Sequence, residues 1–244
     1  MVNDPLIDDH TIDDQLGLRL QARLDSTKAL PLPGGAPGLS YGRHRGPAPT
    51  ACRVAAVVLA IYQDRAGRWT IPLTLRPLTL QHHGGQICLP GGRVEVGESV
   101  FDAALREFEE ELGVRPEVIQ HCGMLSQQYV YASDNLVHPI VITIAPPKSD
   151  WNPDPAEVAK VIPLPLSVLL DDSARRSILI RRALRTAVNN DDRRAQYAKS
   201  EADLPYLEFQ AAAIHHKKQL IWGATALILE QLAQILRRLT SDVD

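Results

Sequence analysis

Four glutamates lie among five consecutive residues in the segment "REFEEELG", which runs from Arg106 to Gly113. On a helix, residues at positions i, i+3 and i+4 share one face, and here these are Glu107, Glu110 and Glu111. Glu109 would point away from them. Carboxylates held this close raise one another's pKa unless a cation neutralises them, and carboxylate oxygens suit Mg²⁺ or Mn²⁺. The spacing indicates a divalent-cation site; a solvated acidic face is the alternative.

The loop before this segment, "LPGGRVEVGES", contains three glycines. Glycine lets backbone amides and carbonyls approach a ligand closely. Glu98 lies at the positive end of the predicted helix, and Arg106 offers a bidentate partner for a carboxylate. A glycine loop followed by converging carboxylates indicates divalent-cation and phosphate chemistry.

The helix that positions these carboxylates is predicted over residues 99 to 113. Ser99 is a suitable N-cap, and Gly113 lies where a C-terminal glycine belongs. At 100° per residue, the apolar side chains gather on a separate face that would anchor the helix to the core. They are Phe101, Ala104, Leu105, Phe108 and Leu112.

Strands are predicted on both sides of this helix. The segments with strand character are 52–63, 69–76, 118–131 and 135–147, with a short apolar run at 85–92. Residues 155–172 are predicted to form a loop that leads into a short helix, and residues 222–239 a long closing helix. Strands flanked by helices, without regular alternation, predict a mixed α+β sandwich of layers.

The two remaining segments are harder to assign. Residues 11–24 place an apolar residue at every fourth position, as on a helix, and residues 31–50 are half Gly and Pro. We therefore divide the chain into an N-terminal extension, residues 1–50, and a main domain, residues 51–244. The arginine-rich stretch 173–200 is predicted to be a helix followed by a charged loop; a basic lobe that contacts substrate phosphates is the alternative.

Composition limits the partners of the 244-residue chain. A net charge of −3 gives no general attraction to nucleic acid or anionic membranes. No run approaches the roughly 18 apolar residues that span a bilayer, and the N-terminus lacks an apolar signal core. Cys52, Cys88 and Cys122 lack CxxC spacing and are predicted to be reduced thiols. We expect a cytoplasmic protein that acts on a small molecule, with homodimerisation possible.

The acidic segment also resembles a known motif. Gly92, Glu98 after five residues, and the run from Arg106 to Val114 after seven more match the Nudix box in full. The resemblance implies an α/β/α sandwich with a mixed sheet between helices. It also implies a hydrolase that splits a diphosphate linked to another group.

By the same resemblance, Glu107, Glu110 and Glu111 bind Mg²⁺ or Mn²⁺. A carbonyl of Gly91 or Gly92 can add a ligand. Glu98 and Arg106 are implied to orient the site. The base that activates water varies within the family, and the candidates are a helix glutamate such as Glu110 and the loop acid Glu157.

The segment 72–92, "PLTLRPLTLQHHGGQICLPGG", resembles the motif of coenzyme A pyrophosphatases, and "IWGAT" at 221–225 resembles their final helix start. This likeness implies CoA cleavage to 3',5'-ADP and 4'-phosphopantetheine. Gln81 stands where the motif has arginine, and His82 and His83 are candidates to replace that charge. ADP-ribose, dinucleotide polyphosphates and a non-catalytic ligand-binding module are the alternatives. The residues implied to bind substrate are Arg76, His83, Gly85, Gly91 and Gly92.

Overall fold

The computed structural model of the protein describes residues 13–26, 50–80, 83–130, 133–183 and 206–241. Eight strands form the main sheet, in the spatial order β3-β2-β1-β7-β5, with β4 paired to β1, β6 to β7 and β8 to β2. Strands β1 and β7 run parallel, and the other pairs are antiparallel. The strands are β1 Arg53–Gln63, β2 Trp69–Leu75, β3 Ile87–Cys88, β4 Gly91–Arg93, β5 Val118–Met124, β6 Gln128–Val130, β7 Asn135–Ile144 and β8 Lys160–Pro165.

Both faces of the central strand β1 are buried, which explains its continuous apolar sequence. Ala56, Val58 and Ala60 belong to the core on one face, and Leu59 and Ile61 to the core on the other. The strand predicted at 52–63 is confirmed. In the same register, Ala56 lies opposite Gly92 of β4, so the glycine loop runs along the edge of β1.

Helices cover both faces of the sheet. Helix α2 (Val100–Leu112) packs its buried residues Ala103, Ala104, Phe108 and Leu112 on one face. Helices α1 (Asp13–Ser26), α3 (Leu166–Leu170) and α4 (Ala224–Ser241) contribute to the core on the other. The predicted α/β/α sandwich with a mixed sheet is therefore confirmed.

Helix α1 docks onto β5 and α4 of its own chain. Leu16, Leu20 and Leu24 are buried, as the spacing of four predicts. Gly17 allows the close approach, since a Cβ there would lie 2.8 Å from the Cβ of Gln120. Arg19 Nη2 donates a 2.6 Å hydrogen bond to the carbonyl of Leu239. Most of the Gly/Pro-rich stretch lies outside the described residues, and the division of the chain at residue 50 stays a prediction.

The loop predicted at the start of 155–172 is wrong, because residues 160–165 form strand β8 before the predicted short helix, α3. Pro163 and Pro165 are unusual in a strand, because proline has no N–H to donate to a neighbouring strand. They are accommodated because β8 pairs only with β2 among the described strands, and edge strands tolerate proline.

Two further predictions need correction. The single strand predicted at 118–131 is divided into β5 and β6 by residues 125–127. The helix predicted at the start of 173–200 is a short 3₁₀ turn, Asp172–Ala174, followed by strand β9 (Arg175–Ala183). Ile178 and Ile180 alternate with the exposed Ser177 and Leu179, a period of two that the neighbouring arginines obscured. Residues 184–200 lie outside the described residues.

The chain also forms a second, three-stranded sheet, which the sequence patterns did not predict. Strand β10 (Tyr206–His216) pairs with β9 on one side and with β11 (Gln219–Trp222) on the other. Its inner side packs on helix α4 through residues that include Ala211 and Leu227. Strand β11 packs against β3 and leads through Gly223 into α4, whose Thr225 contacts Cys88 of β3.

Candidate active site

Helix α2 begins and ends where its sequence predicts. The Ser99 side chain accepts a 3.1 Å hydrogen bond from the backbone N–H of Asp102. Gly113 adopts a left-handed φ of 66° and donates its N–H to the carbonyl of Glu109. The caps set the helix register, and Phe108 and Leu112, which are fully buried, fix its rotation on the sheet. Glu107 and Glu111 consequently point toward β4 and the end of β2.

The two glycines of β4 are required by close approaches. A Cβ at Gly92 would lie 2.3 Å from the carboxyl carbon of Glu107, so this carboxylate occupies the place of a side chain. Gly91 has a φ of 150°, and a Cβ there would lie 2.2 Å from the carbonyl oxygen of Ala56. Its N–H donates to Glu111. The glycine strand thus holds both carboxylates against the backbone.

Arg106 links the acidic residues into one network. Its guanidinium binds both carboxylate oxygens of Glu98, at 2.9 and 3.1 Å. Nη1 donates to Glu107 and to Glu110, each at 3.0 Å. Nη2 also donates to the Arg93 carbonyl, at 3.0 Å. Hydrogen bonding to Arg106 lowers the pKa of Glu98, and these contacts raise that of Arg106.

Glu111 is the most perturbed carboxylate of the site. Its side chain is 3% exposed, and Oε1 lies 3.6 Å from Nη1 of Arg76. The other oxygen, Oε2, is buried and has no hydrogen-bond partner among the described residues. Burial raises the pKa of Glu111 to about 8, against the opposing effect of Arg76. Burial likewise raises the pKa of Glu107, and the charge of Glu157 raises both.

The glutamate carboxylates repel one another, and a bound divalent cation would neutralise this repulsion. Within the described residues, no three His, Cys, Asp or Glu side chains form a ready-made metal site. Arg106 binds Glu110 and one oxygen of Glu107. Glu111 nevertheless has a buried oxygen without a partner. Glu107 and Glu111 also repel each other, and oxygen ligands of this type suit Mg²⁺ or Mn²⁺.

The Nudix box implies a helix lined with carboxylates beside a glycine strand, and the structure has this arrangement. Comparison with known proteins identifies the family. The family model of the Nudix domain matches residues 52–185, more than half of the chain. The chain belongs to the Nudix hydrolase family. Its members hydrolyse phosphoric anhydride bonds in nucleoside diphosphate derivatives and generally use divalent metal ions.

Relatives of this Nudix hydrolase occur in bacteria and animals. A Photorhabdus laumondii protein, named "Uncharacterized Nudix hydrolase NudL", is 33% identical over 75% of this chain and 84% of its own length. Nudix hydrolase 3 of Caenorhabditis elegans is 30% identical over 70% of this chain and 68% of its own length. The crystal structure of a MutT protein from Methanosarcina mazei covers 50% of this chain and 84% of its own, with 21% identity and a TM-score of 0.39.

The Nudix site brings together most of the residues predicted for it. Glu98, Arg106, Glu107 and Glu110 share one network, and Arg76 and Glu111 lie beside it. Glu157 is exposed, but its charge acts on the carboxylates. Their assignment as catalytic residues or metal ligands stays a prediction.

His83 and Gly85 make their described contacts within the β2–β3 loop. His83 Nδ1 lies 2.8 Å from Gln86 Oε1, and a Cβ at Gly85 would lie 2.7 Å from the side chain of Leu78. Gln81 and His82 lie outside the described residues. Substrate binding by His83 and Gly85 therefore stays a prediction.

Cys88, predicted only as a reduced thiol, lies beside the carboxylates. It is close enough to Arg76 and Glu111 for their charges to affect it, and its side chain hydrogen-bonds to that of Thr225 at the start of α4. Burial raises the pKa of this thiol to about 11. All three cysteines are free, as predicted. The contact of Cys88 with Thr225 could have been predicted only by placing "QICLP" and "IWGAT" next to each other, although the two segments are more than 130 residues apart in the sequence.

No helix in the described part of the chain is both long enough and apolar enough to cross a bilayer. The cytoplasmic location and the possible homodimer stay predictions.

Proposed function

We propose that this Nudix hydrolase cleaves the diphosphate bond of coenzyme A or an acyl-CoA. The products would be 3',5'-ADP and 4'-phosphopantetheine or its acyl derivative. The observation that carries the proposal is the contact between Cys88 and Thr225, supported by the packing of β11 against β3. It joins the two segments that resemble the coenzyme A pyrophosphatases, 72–92 and 221–225, beside Glu111.

A divalent cation fits this proposal. Glu107, Glu110 and Glu111, with the carbonyl of Gly92, would hold Mg²⁺ or Mn²⁺. Such a cation neutralises diphosphate charge and lowers the pKa of an attacking water. For Glu110 to take part, its 3.0 Å hydrogen bond to Arg106 must open, and its side chain, 55% exposed, is free to move.

The other residues have supporting roles. Arg106, held bidentately by Glu98, keeps the carboxylates of Glu107 and Glu110 in place before the substrate binds. Glu157 is our candidate for the base that accepts the proton of the water, since it is exposed and its charge reaches Glu107 and Glu111. Glu110 is the alternative base. If Glu157→Gln leaves kcat intact, Glu157 is not the base.

The second candidate is hydrolysis of ADP-ribose, a dinucleotide polyphosphate or another nucleoside diphosphate derivative. Gln81 favours it, because the coenzyme A motif has an arginine at this position. A non-catalytic ligand-binding role is disfavoured, since a binding module need not keep the Arg106 network around three helix glutamates.

A substrate panel distinguishes these functions. The protein is incubated with Mg²⁺ or Mn²⁺ and CoA, acyl-CoA, ADP-ribose, NADH or dinucleotide polyphosphates, and the products are separated by chromatography. We expect CoA or acyl-CoA to be cleaved fastest, with release of 3',5'-ADP. Faster cleavage of ADP-ribose or a dinucleotide would favour the second candidate. Binding of a panel member without turnover in either metal would indicate a ligand-binding module.

A further inference from the structure

Two arginines face the acidic residues, and they differ in how many of their donors are used. Arg106 donates five hydrogen bonds of 2.9–3.1 Å to three glutamates and one carbonyl. Within the described residues, Arg76 forms an ion pair with Glu111, in which Nη1 lies 3.6 Å from Oε1. Its Nε is buried and has no acceptor among the described residues. Arg106 keeps its bonds to Glu98 and to the Arg93 carbonyl even when Glu110 leaves it, whereas Arg76 has a donor without a protein acceptor.

The backbone of Arg76 is firmly placed. Its N–H donates to the carbonyl of Gln86, and its carbonyl accepts from the N–H of Gly85, both at 3.0 Å. These bonds extend the β2–β3 hairpin by one residue pair beyond the Leu75–Ile87 pair. The guanidinium can therefore change partners by side-chain rotation alone, and at 27% exposure it remains accessible from solution.

Arg76 and Glu111, whose Nη1 and Oε1 lie 3.6 Å apart, each have a second buried atom without a partner among the described residues. Nε of Arg76 is a cationic donor without an acceptor, and Oε2 of Glu111 is an anionic acceptor without a donor. The 3.6 Å separation of their groups exceeds the roughly 2.7–2.9 Å of a strong charge-assisted hydrogen bond. A cation–diphosphate complex would satisfy both atoms, with the cation on the carboxylate and phosphate oxygens on the guanidinium.

We propose that Arg76 exchanges partners when the substrate complex forms. In the metal-free protein it is the counter-ion of Glu111; when a divalent cation takes Glu111, the guanidinium binds the diphosphate of the substrate. This inference rests on the proposed function and assigns the phosphate contact to Arg76 rather than to Arg106. It also predicts that Arg76 competes with the cation for Glu111.

Isothermal titration of the full chain tests both halves of the proposal. Mg²⁺ is titrated alone at pH 9, and methylenediphosphonate, a diphosphate analogue that cannot be hydrolysed, is titrated at saturating Mg²⁺. The variants are Arg76→Gln, which removes the charge, and Arg76→Lys, which keeps it. Arg115→Gln is the matched control, because Arg115 is 84% exposed and lies near Glu109 instead. Thermal melting verifies that each variant is folded.

For Arg76→Gln we expect the diphosphonate affinity to fall roughly 10- to 100-fold, as for loss of a charged hydrogen bond. The Mg²⁺ affinity should become tighter, because Glu111 loses the counter-ion that competes with the cation; an unchanged Mg²⁺ affinity would overturn the competition. Arg76→Lys should recover part of the diphosphonate affinity, and Arg115→Gln should match wild type. An unchanged diphosphonate affinity in Arg76→Gln would overturn the proposal. So would a loss of Mg²⁺ affinity as large as that of diphosphonate, because Arg76 would then only position Glu111.

Failure of the proposed function would give a different result. A wild-type protein that binds Mg²⁺ and diphosphonate but cleaves no member of the nucleotide panel would contradict the proposed reaction. The exchange of partners by Arg76 would still be decided by the two titrations.

Discussion

Replacing Gly92 by alanine should damage catalysis far more than stability. The new Cβ would lie 2.3 Å from the carboxyl carbon of Glu107, and ordinary contact begins at 3.4 Å, so this carboxylate must move by about 1 Å. A misplacement of about 1 Å at a reacting centre costs on the order of 100-fold in rate. Because the side chain of Glu107 can rotate away, the free energy of unfolding should fall by no more than about 2 kcal/mol.

The assay for Gly92→Ala is kcat on the best substrate of the panel, together with the Mg²⁺ affinity and a denaturant melt. Gly97→Ala is the matched control in the same loop. A Cβ there meets nothing within 4 Å, although its φ of 84° should cost about 1–2 kcal/mol in stability. We expect Gly97→Ala to keep its kcat. If Gly92→Ala keeps both wild-type kcat and Mg²⁺ affinity, the placement of Glu107 against Gly92 is wrong.

Three further predictions concern the network, its pH dependence and the N-terminal helix. Arg106→Gln should lower kcat and lower the melting temperature of the metal-free protein, since Glu98 loses a bidentate partner; a wild-type melt would contradict this. Burial raises the pKa of Glu111 from 4.5 to about 8. Between these two pH values the unfolded chain releases the proton and the folded protein keeps it, so the stability of the metal-free protein should fall as the pH rises from about 4.5 to about 8. We also expect stronger Mg²⁺ binding above pH 8. Glu111→Gln should lose both effects, the fall in stability with pH in melts and the rise in Mg²⁺ affinity with pH in titrations. Wild type and Glu111→Gln with identical pH profiles would refute the prediction. Leu20→Ala should lower the free energy of unfolding by about 2–5 kcal/mol in a denaturant melt, because Leu20 is fully buried. The control Leu18→Ala, at a position 53% exposed, should change it by less than about 0.5 kcal/mol. Equal effects would show that α1 does not dock.

Local signals explain the parts of the fold that the sequence predicted well. Helix α2 has a capping serine, a terminal glycine and a regular apolar face, and all three depend only on residues within the helix or next to it. Strand β1 was predictable because burial on both faces leaves a long apolar run.

The errors arose where tertiary context overrides local preference. Pro163 argues against a strand unless the strand is known to lie at an edge, and only the pairing of β8 with β2 reveals that. The arginines of β9 hid the alternation of Ile178 and Ile180, whose burial depends on packing against α4. Helical spacing alone cannot reveal such long-range pairings.

The candidate site shows the same division. Helical spacing grouped Glu107, Glu110 and Glu111, but it treated them as equivalent. In the structure Glu111 is buried beside Arg76, while Glu110 is exposed and held by Arg106. That difference depends on the register of the β2–β3 hairpin and on the end of β2, which lie outside the acidic segment.

The central claim is that buried Glu111 belongs to the machinery that cleaves the substrate diphosphate. Its most direct test is ³¹P NMR of CoA cleavage in Mg²⁺ by wild type, Glu111→Gln and Glu109→Gln. The last is a matched control, since Glu109 lies on the same helix with its side chain 50% exposed. We predict release of 3',5'-ADP by wild type and Glu109→Gln, and a rate at least about 100-fold lower for Glu111→Gln. Full activity of Glu111→Gln, or an equal loss in both variants, would contradict the claim.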